Sequence, residues 1–134
     1  MKKVLNLLAL ICAATLLMTG CTIMKPYENM EEFIRSDDMQ ARIKEVNAAS
    51  DPDVYRTEIT GKGNQMICRF IYLKEIDREK ALKEISDSMA KTEDSYRNMA
   101  KAASFVVNEK DPSVVVGYYT KDGEELYRKE FHGE

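Results

Sequence analysis

The order of helix, turn and strand signals in this chain occurs twice, about 60 residues apart. Asp51-Pro52-Asp53-Val54 recurs as Asp111-Pro112-Ser113-Val114. At the same offset Thr60 meets Thr120, Gly63 meets Gly123 and Met66 meets Leu126, while Ile67, Arg69 and Ile71 meet Tyr127, Lys129 and Phe131. Upstream, Met39, Ile43 and Val46 meet Met99, Ala103 and Val106. A fixed offset held across helix, turn and strand is the mark of an internal repeat. Each copy reads as a helix followed by a hairpin.

In the first copy Ser36 or Asp37 can cap a helix whose Met39, Ile43 and Val46 form one apolar stripe, and a shorter turn around Met30, Phe33 and Ile34 precedes it. Pro52 ends that helix and pushes Asp51 into an extended conformation. Strands over 54–60 and 65–73 flank the turn Gly61-Lys62-Gly63-Asn64. In the second copy Asp77 can cap a helical segment over 78–108 with Leu82, Ile85, Met89, Thr92, Tyr96, Met99, Ala103 and Val106 on one seam. Polar Thr92 interrupts that seam, and about 30 helical residues would span ~45 Å, so a bend is expected near Lys91–Ser95. The last hairpin joins strands over 114–120 and 125–131 through a primed turn at Asp122-Gly123. The expected fold class is α+β: a tandem helix–hairpin repeat whose four-stranded, mostly antiparallel sheet carries its helices on one face.

The N-terminus carries an address. Lys2 and Lys3 precede an apolar run from Val4 to Met18, of signal-peptide length and short for a membrane span. The run closes on Leu17-Met18-Thr19-Gly20-Cys21, which resembles a bacterial lipobox. An ordinary secretory signal has no need of a cysteine at the cleavage point, and a membrane helix would run on where Lys25, Pro26 and Glu28 follow. The expected organisation is a removed signal peptide (1–20), a lipidated tether (21–27) and a single α+β domain (28–134). The expected location is the extracytoplasmic face of the cell membrane, with the bilayer as partner through a diacylglyceryl group on Cys21. Two acyl chains hold a small protein durably, and a tether of this length reaches only about 20 Å. Processing leaves 18 basic against 23 acidic residues. That balance is not the basic footprint of a nucleic-acid binder, nor that of a domain lying flat on anionic headgroups.

Chemistry-bearing motifs are sparse. Cys12 leaves with the signal and Cys21 is modified, so Cys68 is the one free thiol of the mature chain; set in an apolar run, it reads as a small buried hydrophobe. The one histidine, His132, follows the last strand and reads as solvated. No nucleophile-elbow, zincin, Walker or Rossmann pattern occurs, and Asp122-Gly123 lacks the alternating oxygen ligands of a calcium loop. No catalytic residue, metal or cofactor is expected. Tyrosine is the enriched residue, with seven in the chain and no tryptophan. Tyr72, Tyr118, Tyr119 and Tyr127 fall on expected strands and are the candidate binding face; alternation puts Tyr118 and Tyr119 on opposite sides. Cross-strand packing is the competing role for the same rings.

From Met30 to Phe131 the chain resembles a family of small lipoproteins found mainly in Gram-positive Firmicutes and described only as a domain of unknown function. The likeness is carried by Ser36-Asp37-Asp38-Met39, by Asp111-Pro112-Ser113-Val114-Val115-Val116, and by Asp122-Gly123-Glu124-Glu125-Leu126-Tyr127 with Phe131. It implies location and fold, and no activity. The doubled helix–hairpin plan is also similar to export-associated PepSY-type domains, thought to bind or restrain peptidases. The expected function is a non-catalytic module that binds an extracytoplasmic protein or peptide through the open sheet face or an edge strand. The alternatives are a small cell-wall-processing enzyme or accessory built on carboxylates, a small-ligand sensor, and a structural component of the envelope. If Cys21 is the acceptor, Cys21→Ser is expected to abolish incorporation of a fatty-acid probe in growing cells; equal labelling of the two proteins would refute the anchor.

Overall fold

The computed structural model describes residues 27–49 and 53–133. The expected signal peptide, Cys21, most of the expected tether and the expected Asp51-Pro52 helix stop lie outside those residues. The elements run α1 (Met30–Arg35), α2 (Asp37–Ala49), β1 (Tyr55–Lys62), β2 (Gln65–Tyr72), α3 (Arg78–Ala103), β3 (Ser113–Tyr119) and β4 (Glu125–His132). The class is α+β, and the four strands lie in chain order in one sheet. β1 with β2 and β3 with β4 are antiparallel hairpins, while β2 and β3 pair in parallel. A parallel pair needs a long crossover, and α3 supplies it.

Local chemistry fixes the helix ends. The Asn29 side chain accepts from Glu32 N–H, starting α1. Ser36 then serves two helices: its hydroxyl donates to Phe33 O at 2.7 Å and accepts from Met39 N–H at 3.3 Å. The Asp77 side chain accepts from Lys80 N–H to start α3.

The expected bend in the long helix is absent: α3 runs unbroken for 26 residues. Thr92 is buried, yet its hydroxyl donates to Ser88 O at 2.9 Å. It satisfies itself within the helix and needs no kink. The buried seam is Ala81, Ile85, Met89, Thr92, Tyr96, Met99 and Ala103; Leu82 falls just off it and is exposed. The helix ends at Ala103, so Val106 reaches the core from the turn that follows.

The core lies between the helices and one face of the sheet. Alternation sends Tyr55, Thr57 and Ile59 of β1, Met66, Cys68, Phe70 and Tyr72 of β2, and Val114, Val116 and Tyr118 of β3 to that face. Met39, Ile43, Val46, Met99, Ala103 and Val106 are all buried there. Burial pushes the Cys68 thiol up to about 12, which makes it unreactive.

The two hairpins correspond only in part. β2 and β4 start and end 60 residues apart, and Gly63 and Gly123 both have positive φ. The first strands are offset by 58, because the turns differ. Lys62 pairs with Gln65 across Gly63-Asn64, with Gly63 alone at positive φ, as a type II′ turn requires. The second turn is not of the primed type. Gly123 N–H donates to Thr120 O and Thr120 N–H to Glu124 O, with Gly123 alone at positive φ. That is a type I turn followed by a left-handed glycine, and a β4 bulge leaves Leu126 without a register partner.

Gly61 marks a close approach of one backbone to another. A Cβ there would lie 2.6 Å from Glu31 Cα and 2.7 Å from Met30 O, so α1 rests directly on β1. Gly61→Ala is therefore expected to cost about 1–3 kcal/mol in urea melts, as overpacking does. Gly123→Asn, in open space at a left-handed position of the kind asparagine tolerates, should cost clearly less.

Candidate functional site

The helix-free face of the sheet carries two side-chain arrangements, one at each end of β3. The first is built around a missing side chain. Gly117 lies in register with Arg69 of β2, and its face-mate two residues on is Tyr119. A Cβ at 117 would meet Tyr119 Cε2 and Oη at 2.7 Å, so the ring lies back across the glycine. The Arg69 guanidinium then sits 4.7 Å from the centre of that ring, within cation–π range. Arg69 also pairs with Glu58 at 3.5 Å, and Glu58 with Arg56 at 3.3 Å. Three strands thus share one ordered strip: Arg56 and Glu58, then Arg69, then Tyr119.

The second arrangement lies at the other end of the same face. The Ser113 hydroxyl donates to Glu130 Oε2 at 2.5 Å, and the Gln65 amide donates to the same oxygen at 3.0 Å. These two donors, Ser113 first, hold the Glu130 carboxyl below the usual carboxylate range. His132 Nδ1 lies 3.2 Å from Asp111 Oδ1. Asp111 has φ 53°, a left-handed conformation unusual for a residue before proline. The Asn64 amide donates to its carbonyl at 3.0 Å. The wiring is not that of a nucleophilic serine. Ser113 is buried and gives its proton to a carboxylate whose basicity is lowered, and not to an imidazole.

The four tyrosines singled out from the sequence do not form one surface. Tyr72 and Tyr118 are buried under the helices with Tyr55 and Phe70. The Tyr55 and Tyr72 rings lie 4.9 Å apart, as do those of Phe70 and Tyr118. Tyr127 is half-buried on the same side, 6.2 Å from Tyr118. Of the four, Tyr119 alone stands on the open face. Tyr118 and Tyr119 do lie on opposite sides, but the register groups Tyr72 and Tyr127 with Tyr118. Burial pushes the hydroxyls of Tyr72 and Tyr118 well above the usual phenol range, and burial also raises Tyr127 against the pull of Lys129. The Tyr72 hydroxyl faces Tyr55 and that of Tyr118 faces Ser88, neither within full hydrogen-bond geometry. These rings belong to the core.

A cleft of about 190 Å³ lies between Lys74–Arg78 and the second hairpin turn, small beside the ~300–1,000 Å³ of typical ligand sites. Ion pairs of Arg78 with Glu124 and of Lys121 with Glu75 cross it. Among the described residues no cluster of three or more His, Cys, Asp or Glu is placed to hold a metal ion, and no helix is long and apolar enough to cross a membrane.

Comparison with known domain families gives a match to DUF4854, a domain of unknown function, over residues 30–131. The chain belongs to this family. Neither curated proteins nor solved structures gave a match. The DUF4854 match runs from the first residue of α1 to the last core residue of β4, so both open-face arrangements fall almost wholly inside it, with His132 one residue beyond.

The residues missed by sequence reading are Arg69, Glu58, Gly117, Ser113, Gln65 and Glu130. Their only signal was strand alternation, and setting Arg69 beside Gly117 and Gln65 beside Ser113 needs the parallel register.

Glu130 yields a pH prediction. Its folded-state pKa lies below the ~4.3 of a free glutamate. Its contribution to stability is therefore complete above that value and is lost as pH falls through the folded pKa. Urea melts between about pH 6 and pH 3 should show Glu130→Gln losing less stability on acidification than the parent; parallel curves would contradict it.

Proposed function

We propose that this chain is a lipid-anchored extracytoplasmic protein whose open sheet face binds another protein or a peptide at the cell envelope, without catalysis. The lipobox-like ending at Cys21 supports the location, as does the resemblance to Firmicutes lipoproteins. The observation that carries the binding reading is the Arg69–Tyr119 stack over Gly117. Tyrosine and arginine are the residue types that most often dominate binding energy. Here they are held before any partner arrives, so little side-chain freedom is left to lose on binding. Glu58 fixes the guanidinium from the far side, leaving the tyrosine ring as an apolar platform with a charged rim. An open sheet face offers an extended surface of the kind a protein or an extended peptide can use.

The partial correspondence of the hairpins, with β2 and β4 offset by 60 and a glycine at positive φ in each turn, supports a duplicated helix–hairpin unit of the kind seen in PepSY-type domains. On that reading the second copy has kept its strand and its turn glycine and has changed its turn.

The test is crosslinking in intact cells with single substitutions. Tyr119→Ala and Arg69→Ala are expected to melt within about 1 kcal/mol of the parent, as surface changes do, and to lose a crosslinked partner. Tyr118→Ala should cost about 3 kcal/mol or more, as aromatic truncation in a core does. A partner that survives both surface substitutions would remove the open face from the mechanism.

A further inference from the structure

We propose that Phe105 sits in the bilayer interface beside the lipid anchor, giving the domain a second membrane contact and a fixed orientation. The proposal rests on the lipidation of Cys21 put forward above.

Among the described residues Phe105 is the most exposed large apolar side chain, at 55 %; the others, Leu73, Leu82 and Val54, lie between 37 and 40 %. Single exposed apolar residues are ordinary on protein surfaces, so exposure alone decides nothing. The position of this one does. It follows α3 in a turn whose backbone is pinned: Phe105 N–H donates to Ala102 O at 3.1 Å, and Val106 and Val107 N–H both donate to Ala103 O at 3.0 Å. Ala103, Val106 and Val107 are fully buried around it. The ring is held outward by a rigid turn.

That turn is also where the tether leaves the domain. Tyr27 pairs in parallel with Val107: its N–H donates to Val106 O at 3.2 Å, and its carbonyl accepts from Asn108 N–H at 2.7 Å. The Asn108 amide reaches Glu28 as well. Phe105 is thus one residue from the carbonyl that holds Tyr27, and Tyr27 is six residues from Cys21. Six residues reach about 20 Å at most, so a lipidated Cys21 confines this patch to the neighbourhood of the headgroups. Confinement raises the effective concentration of membrane around the ring. A contact too weak to recruit the domain from solution then suffices to orient it. Along the chain Lys101, Glu109 and Lys110 flank the turn, and Glu28 reaches it through the Asn108 amide.

The chain has no tryptophan, so a single introduced indole reports its own surroundings. Full-length lipidated protein is reconstituted into phosphatidylcholine vesicles with brominated acyl chains, carrying either Phe105→Trp or Leu82→Trp. Leu82 is a comparably apolar exposed residue near the other end of α3, about 30 Å away along the helix. The expected result is a blue-shifted emission at position 105, quenched several-fold by the brominated chains, and an unshifted, unquenched emission at position 82. If both proteins float with the vesicles and position 105 is quenched no more than position 82, the membrane contact is wrong and the anchor stands. If the unsubstituted protein does not float, the anchor reading fails and this proposal falls with it.

Discussion

The parallel pairing of β2 with β3 is the constraint on which the rest depends. Two antiparallel hairpins could each form from local sequence. They become one sheet only if the chain returns to the starting end of β2, and that forces a crossover. α3 is the crossover, and that role sets its length, since it must cover β3 and β4 while carrying the chain back along the sheet. Because β2 and β3 are then central, their alternate residues line one core face from Met66 to Tyr72 and from Val114 to Tyr118. Val115, on the other side, is also buried, in register between Ile67 and Glu130. The unbroken Val114-Val115-Val116 run is the sequence trace of a central strand.

Much of this architecture was legible, because hairpins, caps and apolar stripes are local. Asp77, Ser36 and Gly63 act as their types predict. What failed also has local causes that a pattern does not record. Thr92 looked like a break in an apolar seam; its hydroxyl has an acceptor four residues back, so it is as compatible with burial as a valine of the same shape. Asp122-Gly123 looked like a two-residue turn. The left-handed residue is Gly123 alone, and the side chain of Thr120 accepts from Glu124 N–H to close a longer loop.

The open face was the least legible part, for a reason of register. Within a hairpin the turn fixes which residues face each other. Across β2 and β3 no turn does so, and the placing of Gly117 and Tyr119 beside Arg69 depends on how α3 sets the return. Gly117 read alone is a weak strand residue. Only beside Arg69, with Tyr119 folded over it, does it become the floor of a stacked pair. The same blindness grouped four tyrosines that the sheet divides, three toward the helices and one away.

The two ends of the sheet acquire different relations to a membrane if the anchor is where the N-terminal sequence puts it. Tyr27 leaves beside the end of α3, and α1 is tied there to the first turn through Met30 N–H and Gly63 O. Asn64 of that turn holds Asp111 at the entrance to β3. The Ser113–Glu130–Gln65 arrangement therefore lies at the tethered end. Tyr119 is six residues further along β3, about 20 Å at the rise of a strand. On that premise the polar row is the part of the open face nearer the anchor, and the Arg69–Tyr119 strip is the part farther from it. The topology that makes β2 and β3 parallel thus also sets the Arg69–Tyr119 strip and the Ser113–Glu130–Gln65 row at opposite ends of one face. A single continuous sheet, ordered β1-β2-β3-β4, is enough to hold the two apart.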